Sequence, residues 1–211
     1  MNHDPVICAV RPVGDRAVLL DMDDPEAVRR IHAYLMCHPV EGIADVVPGA
    51  RTLLLIAEEG RSRALSVAVR RARKPAGTAA TRPAERTVRL PVRYDGADLA
   101  EVAARCGMSV EEVIARHSRR AYTTAFLGLV PGFAYLTGLD PALHLPRRDS
   151  PRTRVPAGSL AMASEYTGVY PSSSPGGWHL LGTTDAALWN VERRPPALLT
   201  PGTTVQFDPI R

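Results

Sequence analysis

Two groups of side chains in this sequence have the chemistry of a site. The first is His117. In "SVEEVIARHS" it follows Val110, Val113 and Ile114 at i, i+3, i+4 and i+7, so on a helix the imidazole falls on the apolar stripe near the C-terminal end. An imidazole there can act as an acid or base near neutral pH, or serve as a structural histidine bonded to a carbonyl or favoured by the helix dipole. The second group is Arg147, Arg148, Arg152 and Arg154 in "RRDSPRTRVP". Guanidinium offers a planar fork of donors, so the cluster suits a carboxylate, carbonate or phosphate; ion pairs with Asp149 or Glu165 would occupy it equally well. The stretch that follows, "TRVPAGSLAMASEYTGVYPSSSPGGWHLLGTT" (153–184), has Glu165 as its one formal charge between Arg154 and Trp178, while Pro and Gly keep returning. Glycine lets backbone approach a ligand closely, proline stiffens the intervening segments, and Tyr166, Tyr170 and Trp178 supply flat walls with a polar tip. Such a wall suits a small polar molecule or another protein chain. Turns packed on their own core would show the same pattern.

Other chemistries are disfavoured by what the sequence lacks. Lys74 is the only lysine, so any Schiff-base, phosphate-loop or biotin-carrying lysine would have to be that residue, in the basic run "RRARKPAG". There is no GxxxxGK[ST], no GxGxxG after a strand and no GxSxG, which argues against a Walker-type nucleotide cradle and a Ser-His-Asp elbow. The six histidines show no HExxH or comparable ligand spacing, so no metal is expected. The net charge of +4 comes from scattered arginines without an aromatic-interleaved basic stripe, so nucleic acid is not an expected partner. Cys8, Cys37 and Cys106 are far apart and in no CxxC pattern, which fits a reducing cytoplasm. The start of the chain does not read as a signal peptide and no apolar run reaches the length of a membrane span, so neither membrane insertion nor export is expected.

These groups need a scaffold, and the pattern of the chain supplies one in two parts. "AVLLDM" (17–22) reads as a strand. A helix then opens on Asp24 as N-cap and Pro25 at its first position, with Val28, Ile31 and Leu35 on its buried face. Two apolar runs split by Pro48-Gly49 read as strands, and "SRALSVAVRRARK" as a second amphipathic helix with Leu65, Ala68, Val69 and Ala72 on one side. The order strand, helix, two strands, helix predicts a small α+β domain over residues 1–80. Residues 75–87 lose all periodicity and read as a linker. The second domain, 81–211, begins with the strand "VRLPVRYDG" and two short helices, "ADLAEVAARCG", stopped by Gly107, and "SVEEVIARHS", opened by the Ser109/Glu112 capping box. From Ala121 onward, short apolar runs broken by Pro and Gly predict a barrel or sandwich.

The motifs "PGFAYL", "PRRDSPRTRVPAGS", "TGVYPSSSPGGW" and "PPALLTPGTTVQF", together with "YDGADLAEVAARCGMSVEEVIARHS" and "VGDRAVLLDM", resemble those of the KipI family over nearly the whole chain. That family is also called PxpB, the B-type component of 5-oxoprolinase, and allophanate hydrolase subunit 1. The resemblance implies an N-terminal α+β domain followed by a cyclophilin-like β-barrel. It also implies a heteromeric complex with a KipA/PxpC-type subunit and a PxpA-type third subunit, which opens 5-oxoproline to glutamate at the expense of ATP; the subunit that binds ATP is left open. Related sequences form the carboxyltransferase region of urea carboxylase, and KipI inhibits a sporulation histidine kinase, so a carboxyltransferase subunit and a regulatory binding protein are the rival readings. On this resemblance His117, Arg152 and Arg154 are the expected catalytic residues. Tyr122, Phe133, Tyr135, Gly158, Ser159, Tyr166, Thr167, Gly168, Tyr170, Ser174, Gly176, Gly177 and Trp178 are the expected substrate-binding set. The sequence departs from the family pattern at Ser164 and Tyr166, where Gly and Gln are usual, and at Asn190, where an acid is usual.

Overall fold

A computed structural model describes residues 7–73 and 86–210, which fall in two units, one within Met1–Glu85 and one within Arg86–Arg211. The N-terminal unit starts with a strand that the sequence pattern does not announce, β1 (Ile7–Val13), followed by β2 (Ala17–Met22), α1 (Pro25–Cys37), β3 (Ile43–Pro48), β4 (Thr52–Ala57) and α2 (Arg63–Arg73). The residues of β1 are intermediate or exposed along their length, with little apolar alternation to mark them. The four strands form an antiparallel sheet in the order β1-β2-β4-β3. Both helices lie against it. Asp24 caps α1 by accepting from the Glu26 amide at 3.0 Å, and Val28, Ile31 and Leu35 join Leu53, Leu55, Leu65 and Ala68 in one core.

The C-terminal unit opens with β5 (Thr87–Arg93), whose first residue was expected to belong to the linker; the rest of that expected linker, apart from Arg86, lies outside the described residues. α3 (Leu99–Cys106) ends on Gly107, whose φ of +67° is the left-handed cap that glycine adopts without penalty. α4 (Val110–Ser118) begins at Ser109, whose hydroxyl accepts from the Glu112 amide at 3.1 Å. Only half of the expected capping box forms, because the Glu112 carboxylate pairs with Arg116 instead, at 2.8 Å.

The remaining strands are β6 (Ala121–Leu127), β7 (Ala134–Thr137), β8 (Arg152–Val155), β9 (Ser159–Ala163), β10 (Tyr166–Val169), β11 (Ser174–Gly176), β12 (His179–Thr183) and β13 (Thr204–Ile210). Seven strands of this unit close a barrel in the order β10-β7-β6-β13-β5-β12-β9, while β8 and β11 pair with each other outside it. The chain is therefore α+β, with a closed barrel where the sequence pattern allowed barrel or sandwich. Neighbouring residues on a strand point to opposite faces, and here both faces are covered. Ala134, Leu136, Leu160, Met162, Val169 and Leu181 face the main core, which also receives Val102 and Val113 from α3 and α4. Their neighbours Phe133, Ala161, Ala163 and Leu180 face a second core with Val155, Tyr170 and Trp178. β9 is consequently buried at all five positions.

Candidate functional site

The main core holds the first group of expected residues. His117 is fully buried at the end of α4. Its Nδ1 lies 2.8 Å from the Tyr94 hydroxyl and its Nε2 2.9 Å from Thr167 Oγ1, and its ring stacks on Phe207 with centroids 5.0 Å apart. Tyr122, also fully buried, donates its hydroxyl to the His117 carbonyl at 2.7 Å. Burial without a counter-charge pushes the imidazole pKa down to about 3, so it is neutral under ordinary conditions, and burial likewise pushes the Tyr94 and Tyr122 hydroxyls up. The neutral ring ties α4 to β10. Of the two roles open to His117, this geometry supplies the structural one, with hydroxyls as partners where a carbonyl or the helix dipole was expected.

The second core gathers residues that lie far apart in the sequence. Phe133, Tyr135, Tyr166, Tyr170 and Trp178 form one aromatic layer on the outer face of the barrel, joined by Phe126, which no motif singles out. Phe126 stacks on Tyr135 with centroids 4.3 Å apart, and Tyr135 meets Tyr166 edge to face at 5.6 Å. Phe133 contacts Tyr170 and Trp178 at 5.1 and 5.4 Å, also edge to face, the arrangement that ring quadrupoles favour. Phe133, Trp178 and the ring of Tyr170 are buried within this layer, with the Tyr170 hydroxyl at its edge over Gly176, whereas Phe126, Tyr135 and Tyr166 keep partial exposure. A solute on this face would therefore meet Phe126, Tyr135 and Tyr166, and the expected wall of Tyr170 and Trp178 stands behind them.

The glycines of the motif make the layer possible. A Cβ on Gly168 would lie 2.7 Å from the Ala134 carbonyl and 3.3 Å from the Phe133 ring, and one on Gly176 would meet the Tyr170 hydroxyl at 2.3 Å. Side chains at these two positions would displace the aromatic rings. Gly158 approaches the Thr184 carbonyl just as closely, while the adjacent Ser159 takes the Tyr170 amide on its carbonyl at 2.9 Å. Ser174 is buried opposite Val155 in the β8–β11 pair, and the Gly177 carbonyl accepts from the Arg148 amide at 2.8 Å.

The arginines divide. Arg154 is exposed and donates to the Ser173 hydroxyl at 3.1 Å. Arg152 and Arg148 both reach the buried Asp98, which no sequence signal marks: Arg152 Nη2 and Arg148 Nη1 lie 2.6 and 2.8 Å from Asp98 Oδ1. Asp98 Oδ2 accepts from the Leu180 amide at 2.7 Å, and Glu101 takes Arg148 Nη1 at 3.1 Å. Burial by itself would raise the Asp98 carboxyl, but the Arg152 hydrogen bond, the Leu180 amide and the two guanidinium charges outweigh it and hold the group below the ordinary carboxylate range. Arg152 and Arg154 thus do not form a joint fork, and the pair that does converge is Arg148 and Arg152.

The two departures at turns have local explanations. Ser164 sits in the two-residue connection between β9 and β10 with φ +52°, the backbone region where glycine is at ease, which accounts for the Gly of the family pattern. Asn190 accepts from the Glu192 amide at 2.9 Å through Oδ1, an Asx turn that an aspartate would form as well. The bulkier Tyr166 contributes to the aromatic rim described above.

A cleft of about 190 Å³ in the N-terminal unit is lined by Leu35, Pro39, Val40, Ile43, Val46 and Ala68 among others, and none of the expected site residues borders it. Among the described residues no helix is long and apolar enough to cross a membrane, and no cluster of three or more His, Cys, Asp or Glu side chains could hold a metal ion.

Residues 8–199 match the model of the carboxyltransferase domain family, subdomain C and D. The chain is 39% identical over 206 residues to the B component of 5-oxoprolinase from Escherichia coli O157:H7, covering 93% of this chain and 94% of that one. The crystal structure of TTHA0988 superposes with a TM-score of 0.78 at 40% identity over 93% of this chain, which spans 40% of that longer one. The urea carboxylase of Kluyveromyces lactis shares the fold, with a TM-score of 0.69 at 19% identity over 96% of this chain and 22% of its own. The protein belongs to the carboxyltransferase C and D subdomain family and, within it, to the PxpB group of 5-oxoprolinase components, also called allophanate hydrolase subunit 1.

Proposed function

We propose that this chain is the PxpB-type component of an ATP-dependent 5-oxoprolinase, active in the cytoplasm in a complex with a KipA/PxpC-type subunit and a PxpA-type third subunit. The observation that carries the reading is the match to the corresponding 5-oxoprolinase component along 94% of that relative's length. Opening an unstrained lactam requires the loss of amide resonance, and phosphorylation of the amide oxygen by ATP would create a better electrophile. Arg147 and Arg152 lie near Tyr170, Arg148 and Arg152 pair with Asp98, and Glu101 takes both Arg148 and Arg105. Guanidiniums already paired with carboxylates are a poor match for the several negative charges of a nucleoside triphosphate, so nucleotide binding is assigned to the partner subunits. This chain's part is to hold and orient a small, flat, singly charged substrate against its aromatic face. Mixing the purified chain with its partner subunits, 5-oxoproline and ATP should yield glutamate and ADP. Equal product formation with the chain left out, or none in the complete mixture, refutes the assignment.

The family description favours one second reading, a carboxyltransferase subunit. It requires a biotin carboxylase and carrier, and is supported if product forms only when those proteins and bicarbonate are supplied.

A further inference from the structure

The second core leaves one polar group without a partner at the edge of the arginine cluster. Tyr170 is 1% exposed, yet its hydroxyl makes no hydrogen bond among the described residues. It rests over Gly176, where a Cβ would sit 2.3 Å away. Gly176 stands directly across from Arg152 in the β8–β11 pair, and residues facing each other in such a pair project to the same side. The next residue, Gly177, takes the Arg148 amide on its carbonyl at 2.8 Å. The Tyr170 hydroxyl therefore lies beside Arg152, whose guanidinium shares Asp98 Oδ1 with that of Arg148.

The guanidiniums are held in advance. Each gives one nitrogen to Asp98 Oδ1, and both side chains remain about a quarter exposed. Arg148 Nη2 and Arg152 Nε make no hydrogen bond among the described residues, while Arg148 Nε and Arg152 Nη1 are buried with no acceptor. Donors thus outnumber acceptors at this place, and Arg147, which also lies near Tyr170, adds a third guanidinium against the carboxylates of Asp98 and Glu101. A fixed pair of cations with open donors beside an unpaired hydroxyl is a receptor for a planar monoanion. The partly exposed rings of Tyr135 and Tyr166 belong to the same aromatic layer as Tyr170 and offer a flat apolar surface to the rest of the ligand.

We propose that Arg148, Arg152 and the Tyr170 hydroxyl bind the carboxylate of a small cyclic amide, and that Asp98 is the positioning residue that sets both guanidiniums. The identity of the ligand as 5-oxoproline rests on the 5-oxoprolinase reading; the carboxylate preference does not.

The test uses the reconstituted complex. Binding of 5-oxoproline is compared by calorimetry with that of 2-pyrrolidinone, the same lactam without a carboxylate, in the wild type and in Tyr170→Phe, Arg148→Gln and Arg148→Lys. Loss of a hydrogen bond to a charged group weakens binding by about tenfold or more. Tyr170→Phe and Arg148→Gln should each raise the dissociation constant of 5-oxoproline by about that factor, leave 2-pyrrolidinone unchanged, and Arg148→Lys should recover part of the loss. Asp98→Asn should raise KM for 5-oxoproline more than it lowers kcat, a split that general loss of folded protein does not produce. Affinities for 5-oxoproline within about twofold of wild type in both Tyr170→Phe and Arg148→Gln, with turnover intact, overturn the site and leave the oxoprolinase reading standing. If 5-oxoproline is neither bound nor turned over, N-acetylglycine and benzoate replace it: their binding, weakened by the same variants, supports the site without that reading, and failure of every carboxylate to bind overturns the site.

Discussion

Acid should unfold the C-terminal unit through His117. The imidazole is fully buried between Tyr94 and Thr167, with its pKa pushed down to about 3, while in the unfolded chain it titrates near 6.5. Above that ordinary value both states carry a neutral ring, and His117 adds no pH dependence. Between about 6.5 and 3 the unfolded chain takes up a proton that the folded chain refuses, so stability falls as the pH drops, with a slope approaching about 1.4 kcal/mol per pH unit. From about pH 7.5 to about pH 4.5 the loss from this residue is about 3 kcal/mol. Urea unfolding followed by tryptophan fluorescence reports the right unit, because Trp178 and Trp189, the only two tryptophans, both lie in it. Asp98, Asp140 and Glu111, whose folded pKa values are lowered, add acid sensitivity of the same sign at lower pH. Comparison with His117→Gln isolates the histidine: the amide keeps a polar partner for Thr167 but cannot protonate. The variant should lose less stability over the same interval by about 3 kcal/mol, whatever its stability at neutral pH. Equal pH dependence in the two proteins refutes the reasoning, since it would mean that the folded protein protonates His117 freely and that the ring is open to solvent.

Three further substitutions follow from contacts already described. Asp98→Ala leaves Arg148, Arg152 and the Leu180 amide without their shared acceptor and should cost about 3–5 kcal/mol, read by urea unfolding. Gly168→Ala drives a methyl group into the Ala134 carbonyl and the Phe133 ring, and should cost about 1–3 kcal/mol together with a change in the near-ultraviolet aromatic signal. Ser164→Gly relieves the positive φ between β9 and β10 and should raise stability by up to about 1 kcal/mol in the same assay; a loss of stability would show that the serine side chain makes a compensating contact.

Helices and their faces are legible in the sequence because their burial is one-sided. Asp24 and Pro25 mark the start of α1, Gly107 marks the end of α3, and Val113 and His117 turn inward as their spacing requires. The barrel strands are legible only as a class. In β9, "SLAMA", the period of two disappears because Leu160 and Met162 serve one core and Ala161 and Ala163 another. Asp98 cannot be read at all. It lies 50 residues before Arg148 and 54 before Arg152, in "YDGAD", a stretch that looks like an ordinary polar turn. Phe126 carries no motif, and only its stacking on Tyr135 identifies it.

The near-absence of charge between Arg154 and Trp178 is a sound sign of a covered surface, and most of the cover comes from the chain itself. β8 lies outside the barrel with β11 and brings Val155 onto Phe133 and Trp178, while Tyr170 joins them from the end of β10. Small residues at Gly168 and Gly176 let the rings close up, so the glycines that would bring backbone near a ligand instead bring aromatic side chains near one another. What remains open is the border of that layer. Phe126, Tyr135 and Tyr166 are partly exposed there, and the Tyr170 hydroxyl lies near Arg152, which Asp98 holds together with Arg148. A packed aromatic layer is rigid because its rings lock one another's rotamers. It can therefore present an ionic site at its edge with little reorganisation on binding, which is the physical reason to seek recognition at the rim and not within the neutral stretch itself.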